Sequence, residues 1–244
     1  MPMGMEVAKH TTMNIQNARP LLGTSLASGA ALAGLGTVVL RGATRPFDDT
    51  VRKQFPRYRR SRTKRSTESL GPIGKTWLHL SVTGGVAAYL LLRGKGWDSA
   101  MTVILSSVAS SGASGAAEKF LPRRHAPWGR MSVTEPSFPS GHALRAATVT
   151  LVTAYVLVRE NVGKSKVAIP VAVAIPALTA LHALYLDRHW ATDIIGGWLG
   201  AAAIAGVCAY GYEVAQARKK TTSPSPRRRR TAPRRATRRP SIAR

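Results

Sequence analysis

Apolar and small residues gather along the chain into six windows separated by short polar stretches: Leu21–Leu40, Ile73–Leu92, Trp97–Ala117, Ala143–Val158, Val167–Leu186 and Ile194–Tyr212. A helix needs about 20 mostly apolar residues to cross the hydrocarbon of a bilayer. The pattern therefore predicts an all-α, polytopic membrane protein, a bundle of six transmembrane helices. Long apolar windows between short loops argue against a soluble helical core. The fifth and sixth windows are the cleanest; the fourth is short, and the second carries Lys75 and His79 near one end, where a long side chain can snorkel to the headgroups. The third, WDSAMTVILSSVASSGASGAA, is rich in Ser, Gly and Ala, which let helices approach closely inside a membrane. The first is longer than the core of a cleaved signal and reads as an uncleaved first span.

Charge is concentrated outside these windows. The net charge of +25 comes largely from Arg52–Arg65 and from the tail after Arg218. Six spans put both termini on one face, and the basic tail argues that this face is cytoplasmic, as do Arg93, Lys95, Arg159, Lys164 and Lys166. About ten basic residues between Arg41 and Arg65 fall on the opposite face, which an amphipathic helix on anionic headgroups would reconcile. The expected organisation is an N-terminal cytoplasmic segment (1–20), a six-helix membrane domain (21–212) containing a basic interfacial segment (41–70), and a disordered basic tail (213–244). The tail lacks interleaved aromatic residues, so no nucleic-acid partner is expected. The single cysteine, Cys208, excludes an internal disulfide and a cysteine zinc cluster.

Polar chemistry converges on one membrane face, in the loops after the third and fifth windows. The first loop holds Lys119, Arg123, Arg124, His125 and Arg130, and runs into Pro139-Ser140-Gly141-His142; the second holds Asp187, Arg188, His189 and Asp193. Ionisable groups gathered at helix ends in a membrane protein mark a functional site. In the PSGH turn, Pro139 restrains the backbone and Gly141 admits a ligand closely. The first turn of the helix that follows offers unpaired N–H groups to an anion. Ser140 adds a hydroxyl, and His142 a proton donor. On a helix, His189 and Asp193 share a face, so the carboxylate can orient the imidazole and leave its other nitrogen as a nucleophile or base. A cationic amine, an N–H cradle and two imidazoles together fit phosphoryl transfer through a phosphohistidine, with no metal or other cofactor required.

The order and spacing of KFLPRRHAP (Lys119–Pro127), PSGH (Pro139–His142) and HALYLDRHWATD (His182–Asp193) resemble the three-motif signature of the type-2 phosphatidic acid phosphatase superfamily, which includes vanadium haloperoxidases. The resemblance spans about residues 20–212, with FDDTVRKQFP after the first window inside it. It implies a membrane-embedded, multi-pass lipid phosphatase of the cell membrane, acting on a phosphomonoester or diphosphate such as phosphatidic acid or a polyprenyl diphosphate. His189 would be the nucleophile, Asp193 its orienting partner and His142 the acid for the leaving group. Lys119, Ser140 and Gly141 would hold phosphate oxygens. Two positions depart from the pattern: Ala126 and Ala183 stand where the family has arginine. Arg124, Arg188 and above all Arg145, one helical turn beyond His142, are the candidate replacements. The alternative is a weakened member that binds phospholipid or a partner without turnover. A haloperoxidase is disfavoured by the six spans. A metal site of His125, His142, His182 and His189 lacks any HExxH or CxxC spacing.

Overall fold

A computed structural model of the protein describes residues 15–55, 76–121 and 137–222. Among these residues the structure is all-helical. The helices are α1 (Ile15–Leu40), α2 (Arg45–Gln54), α3 (Thr76–Leu92), α4 (Gly96–Phe120), α5 (Gly141–Arg159), α6 (Ser165–Tyr185) and α7 (Ala191–Thr222). Five of them, α1, α4, α5, α6 and α7, are long and apolar enough to cross a membrane, and α3 adds a shorter apolar helix, Trp77–Leu92. Each of the six expected windows thus holds a helix, and α2 is an additional short one. Residues 1–14 and 223–244, most of the two expected terminal segments, lie outside the described residues, as does 56–70 of the basic interfacial segment.

Central to the bundle is α5, which packs against α3, α4, α6 and α7, while α1 lies along α7 and α2 touches the start of α7. Small residues set these distances. A methyl group on Gly197 of α7 would sit 2.8 Å from the Ser140 carbonyl oxygen and 3.0 Å from the Leu144 nitrogen, so two backbones meet there. Gly206, further along α7, lies equally close to α1, its added carbon falling 2.7 Å from the Leu21 carbonyl oxygen. Along α4 the buried face is hydroxylic: Ser99, Thr102, Ser106, Ser107, Ser110 and Ser114 all point inward. The outward face of α6 is the reverse, with Val167, Ile169, Val171, Val173, Leu178 and Leu181 exposed, as suits a lipid-facing surface.

The end of the bundle carrying the α3–α4 and α5–α6 loops is tied by ionic contacts. Arg159 grips Glu213 with two nitrogens, at 2.6 and 2.8 Å, and the Tyr155 hydroxyl donates to the same carboxylate. Tyr212 donates to Glu160, and Lys219 pairs with Asp98 at 2.6 Å. Glu213 is buried, and these bonds explain why α7 runs on past the expected boundary at 212 as far as Thr222. The other end, where α4 finishes and α5 and α7 begin, holds the motif residues.

Candidate active site

Backbone bonds stitch the polar loops together before any side chain acts. The Ser140 N–H donates to the Asp193 carbonyl at 2.9 Å, joining the first turn of α5 to that of α7. Ser140 is the N-cap of α5: its hydroxyl oxygen accepts from Ala143 N–H at 3.4 Å, so its own O–H proton stays available to donate. Before it, the Phe138–Pro139 peptide is cis. The Phe138 ring is wedged between α1 and α7, against Gly36 and Gly196; a methyl group on Gly196 would fall 2.6 Å from the ring. The PSGH turn is held by this plug as well as by its proline.

The nucleophile candidate is oriented through the neighbouring residue, Ser137. His189 is buried, and its Nδ1 lies 3.2 Å from the Ser137 carbonyl oxygen. A carbonyl can only accept, so Nδ1 carries the proton and Nε2 keeps its lone pair. Asp193 was the expected acceptor. Its Oδ2 lies 3.6 Å from Nδ1, beyond hydrogen-bond length, and instead accepts the Trp190 N–H at 2.9 Å. The reason is local: Asp193 is the third residue of α7 and caps the helix start by bonding back to the residue just before it. It is fully buried, with the imidazole beside it.

His142, the second residue of α5, is the shared neighbour of the charged groups. It lies within electrostatic reach of Arg145, His189, Arg188 and His79. Arg145 is half-buried: its Nη1 donates to Ser114 Oγ at 2.8 Å, and that hydroxyl donates in turn to Glu118 at 3.2 Å. Gly141 must be glycine because a side chain there would run into Ser114 Oγ and lie 3.3 Å from Arg145 Nη1. Two of the three candidate replacement arginines, Arg145 and Arg188, are therefore among the charges that act on His142. Arg124 lies outside the described residues, as do Ala126 and His125. Lys119 is exposed at the end of α4, its ammonium 5.3 Å from the Phe120 ring centroid, and is not among the groups acting on His142. Ala183 is buried with Ala143, Ala180 and Ile194 in a small cluster beneath the site.

Two residues of α2 hold the third-motif loop, and sequence reasoning assigned them no role. Asp48 is 1% exposed and accepts from both the backbone N–H, at 3.0 Å, and the hydroxyl, at 2.8 Å, of Thr192. It thereby caps α7 from outside, placing a carboxylate at the positive end of that helix. One turn later, Arg52 forks onto Asp187 at 3.0 and 2.9 Å and lies 5.7 Å from the Trp190 ring centroid. The bond to Asp187 raises the Arg52 pKa above the usual guanidinium value. Asp187 sits in the left-handed region, φ 56°, at the end of α6. Arg188 N–H bonds to the Ala183 carbonyl and Asp187 N–H to that of Leu184, a helix stop at which glycine is usual. An aspartate tolerates that conformation, and here its carboxylate is needed for Arg52. The Asp48–Arg52 spacing, one helical turn, was the readable signal. Asp48→Ala removes the acceptor of two Thr192 donors and should cost about 1–3 kcal/mol, measured as a lower unfolding temperature in detergent; an unchanged temperature would contradict the cap.

The family model of the PAP2 superfamily matches residues 21–216. Among curated protein sequences none matches the chain. A solved structure, described as the first transmembrane PAP2 type phosphatidylglycerolphosphate phosphatase from Bacillus subtilis, superposes with a TM-score of 0.64 at 20% identity, over 82% of this chain and 98% of that one. At that identity the likeness speaks for the fold.

Proposed function

The chain belongs to the PAP2 superfamily, and on that premise we propose that it is a multi-pass membrane phosphatase cleaving a phosphomonoester or diphosphate of a lipid through a phosphohistidine. The carrying observation is the pair of imidazoles: His189 with its Nδ1 proton committed to Ser137, and His142 on the first turn of α5, which the Ser140–Asp193 main-chain bond joins to the first turn of α7. In the first step the His189 Nε2 lone pair attacks phosphorus and the P–O bond to the leaving group breaks. His142 gives that oxygen its proton. Water then attacks the phosphohistidine, His142 taking the proton back, and inorganic phosphate leaves. Developing oxyanion charge meets the Ser140 hydroxyl, the free N–H groups opening α5, Arg145 and Arg188. Lys119, exposed at the end of α4, would join these donors from there.

Arg145 and Arg188 stand in for the arginines that Ala126 and Ala183 do not supply. A hydrogen bond to a charged group is worth about 1.5–3 kcal/mol, so Arg145→Ala should lower phosphate release about ten- to hundredfold. Unaltered release would remove Arg145 from the phosphate site. The wider reading is tested by phosphate release from phosphatidic acid or a prenyl diphosphate by the purified protein in detergent containing a chelator. Turnover is expected there, and loss on chelation would overturn metal independence. Equal rates for wild type and His189→Ala would favour binding without turnover, the reading suggested by Ala183 filling its position with a buried methyl group. Positive charge near the α7 end and in the α3–α4 and α5–α6 loops supports a cytoplasmic location for that face, and so a site on the outer face.

A further inference from the structure

The short helix α2 carries lines of residues of quite different character. At about 100° per residue, positions four apart fall on one line. Asp48 and Arg52 form the line that meets the bundle, bonded to Thr192 and Asp187. On one side of it runs an apolar line, Phe47 and Val51, which Phe55 continues at the C-cap. On the other side runs a charged line, Arg45, Asp49 and Lys53, all exposed. The apolar and charged lines are therefore roughly opposite each other, with the bundle contact between them. Phe47 is 49% exposed, and Val51 and Phe55 are only partly buried, so the described residues leave the apolar line uncovered. The connections fix its level. One candidate span, α1, ends at Leu40 and passes through the turn 41–44 into α2, which touches the start of a second, α7. A helix held between two span ends lies at the membrane surface.

We propose that α2 lies in the plane of the membrane surface, with Phe47, Val51 and Phe55 seated where headgroups meet acyl chains, and that from there it holds segment 187–193 in place. An amphipathic helix so placed buries its apolar side and leaves its charges in the headgroup layer. The same leaflet bounds the ends of α1 and α7, so the apolar line continues a surface that lipid already covers. Arg41, Arg45 and Lys53, all exposed, outnumber Asp49 and match anionic headgroups. The two bonds to the bundle carry the consequence. Arg52 grips Asp187, Asp48 grips Thr192, and His189 lies between those two attachment points. Lifting α2 out of the lipid loosens both at once. Resting on the phosphatase reading above, the segment so held is the one that carries the nucleophile, and Asp48 and Arg52 are positioning residues for it.

The test uses the full chain in vesicles of phosphatidylcholine and phosphatidylglycerol. In a Cys208→Ala background, a fluorophore on Phe47→Cys should be quenched strongly by lipid spin-labelled high on its acyl chain, and one on Asp49→Cys weakly. Equal quenching at both positions overturns the seating. Hydrogen exchange reads the coupling without reference to catalysis. Phe47→Asp should speed exchange of the Arg188 and Thr192 amides about ten- to hundredfold, the worth of burying an aromatic side chain. Phe47→Leu should stay near wild type, and the amides of Arg93 and Lys95, at the other end of the bundle, should not change. Unchanged exchange at 187–193 in Phe47→Asp, or a uniform rise over the whole chain, overturns the coupling. With Asp48→Ala and Arg52→Ala already in place, Phe47→Asp should add nothing; a further rise of the same size overturns it too. Phosphate release by Phe47→Asp should fall alongside. If wild type releases no phosphate, the phosphatase reading fails by itself, and quenching and exchange still decide the role of α2.

Discussion

Replacing His189 with alanine should lower phosphate release by at least roughly ten-thousandfold, the scale on which removing a nucleophile acts. The fold should survive. Among the described residues His189 makes one hydrogen bond, to the Ser137 carbonyl, and the starts of α5 and α7 remain joined by the Ser140–Asp193 bond between main chains. The informative measurement is a quench of the wild-type reaction under denaturing, alkaline conditions, where a phosphohistidine persists and a phosphoester of serine would be distinguished by its acid stability. Label held on the wild type and absent from His189→Ala is the expected outcome. Label retained in the variant would place the nucleophile elsewhere. Asp193→Asn should be milder, because its Oδ2 accepts from Trp190 and sits 3.6 Å from Nδ1; it removes a field without removing the imidazole's anchor.

Gly197→Ala should damage both the bundle and the site. Its added carbon would lie 2.8 Å from the Ser140 carbonyl oxygen, 2.9 Å from Ala143 Cβ and 3.0 Å from the Leu144 nitrogen. Two of these are main-chain atoms of the helix that carries His142, and they cannot rotate away. Overpacking of this kind costs about 1–3 kcal/mol, read as a lower unfolding temperature in detergent. Activity should fall further than stability, since the movement that relieves the clash displaces Ser140 and Gly141 together. Gly196→Ala provides the contrast: its nearest contacts are all with the buried Phe138 ring, the first at 2.6 Å, and none is with main chain. If both variants unfold and turn over alike, main-chain proximity is not what Gly197 provides.

Much of this was legible from hydrophobic pattern and spacing. The six windows each hold a helix, and the PSGH turn opens α5 because proline, a serine cap and glycine are local signals. Relationships between distant segments were not legible. Nothing in HWATD indicates that the His189 proton goes to a carbonyl fifty-two positions upstream, because backbone acceptors carry no sequence mark. Arg52 reads as the start of a basic run and Asp48 only as part of FDDTVRKQFP, and only the fold brings them to Asp187 and Thr192. That placement eases the charge conflict, since Arg52 meets a carboxylate of its own chain. The length of α7 is hidden for a related reason: Glu213 follows the apolar window as an acidic residue, and only the fold places Arg159 and Tyr155 beside it.

The hydroxyl-lined face of α4 bears on how the chain enters the bilayer. Ser99 bonds to the Lys95 carbonyl, Thr102 to Asp98, Ser106 to Val103 and Ser110 to Ser107, each within its own helix. Such back-bonding removes much of the penalty that a hydroxyl meets in hydrocarbon. This helix can therefore partition into lipid during synthesis before its neighbours arrive, although its polar content is high. What later draws α3, α5 and α7 against it is the small volume of serine, alanine and glycine, so assembly proceeds by fit between helices that are already solvated by the membrane.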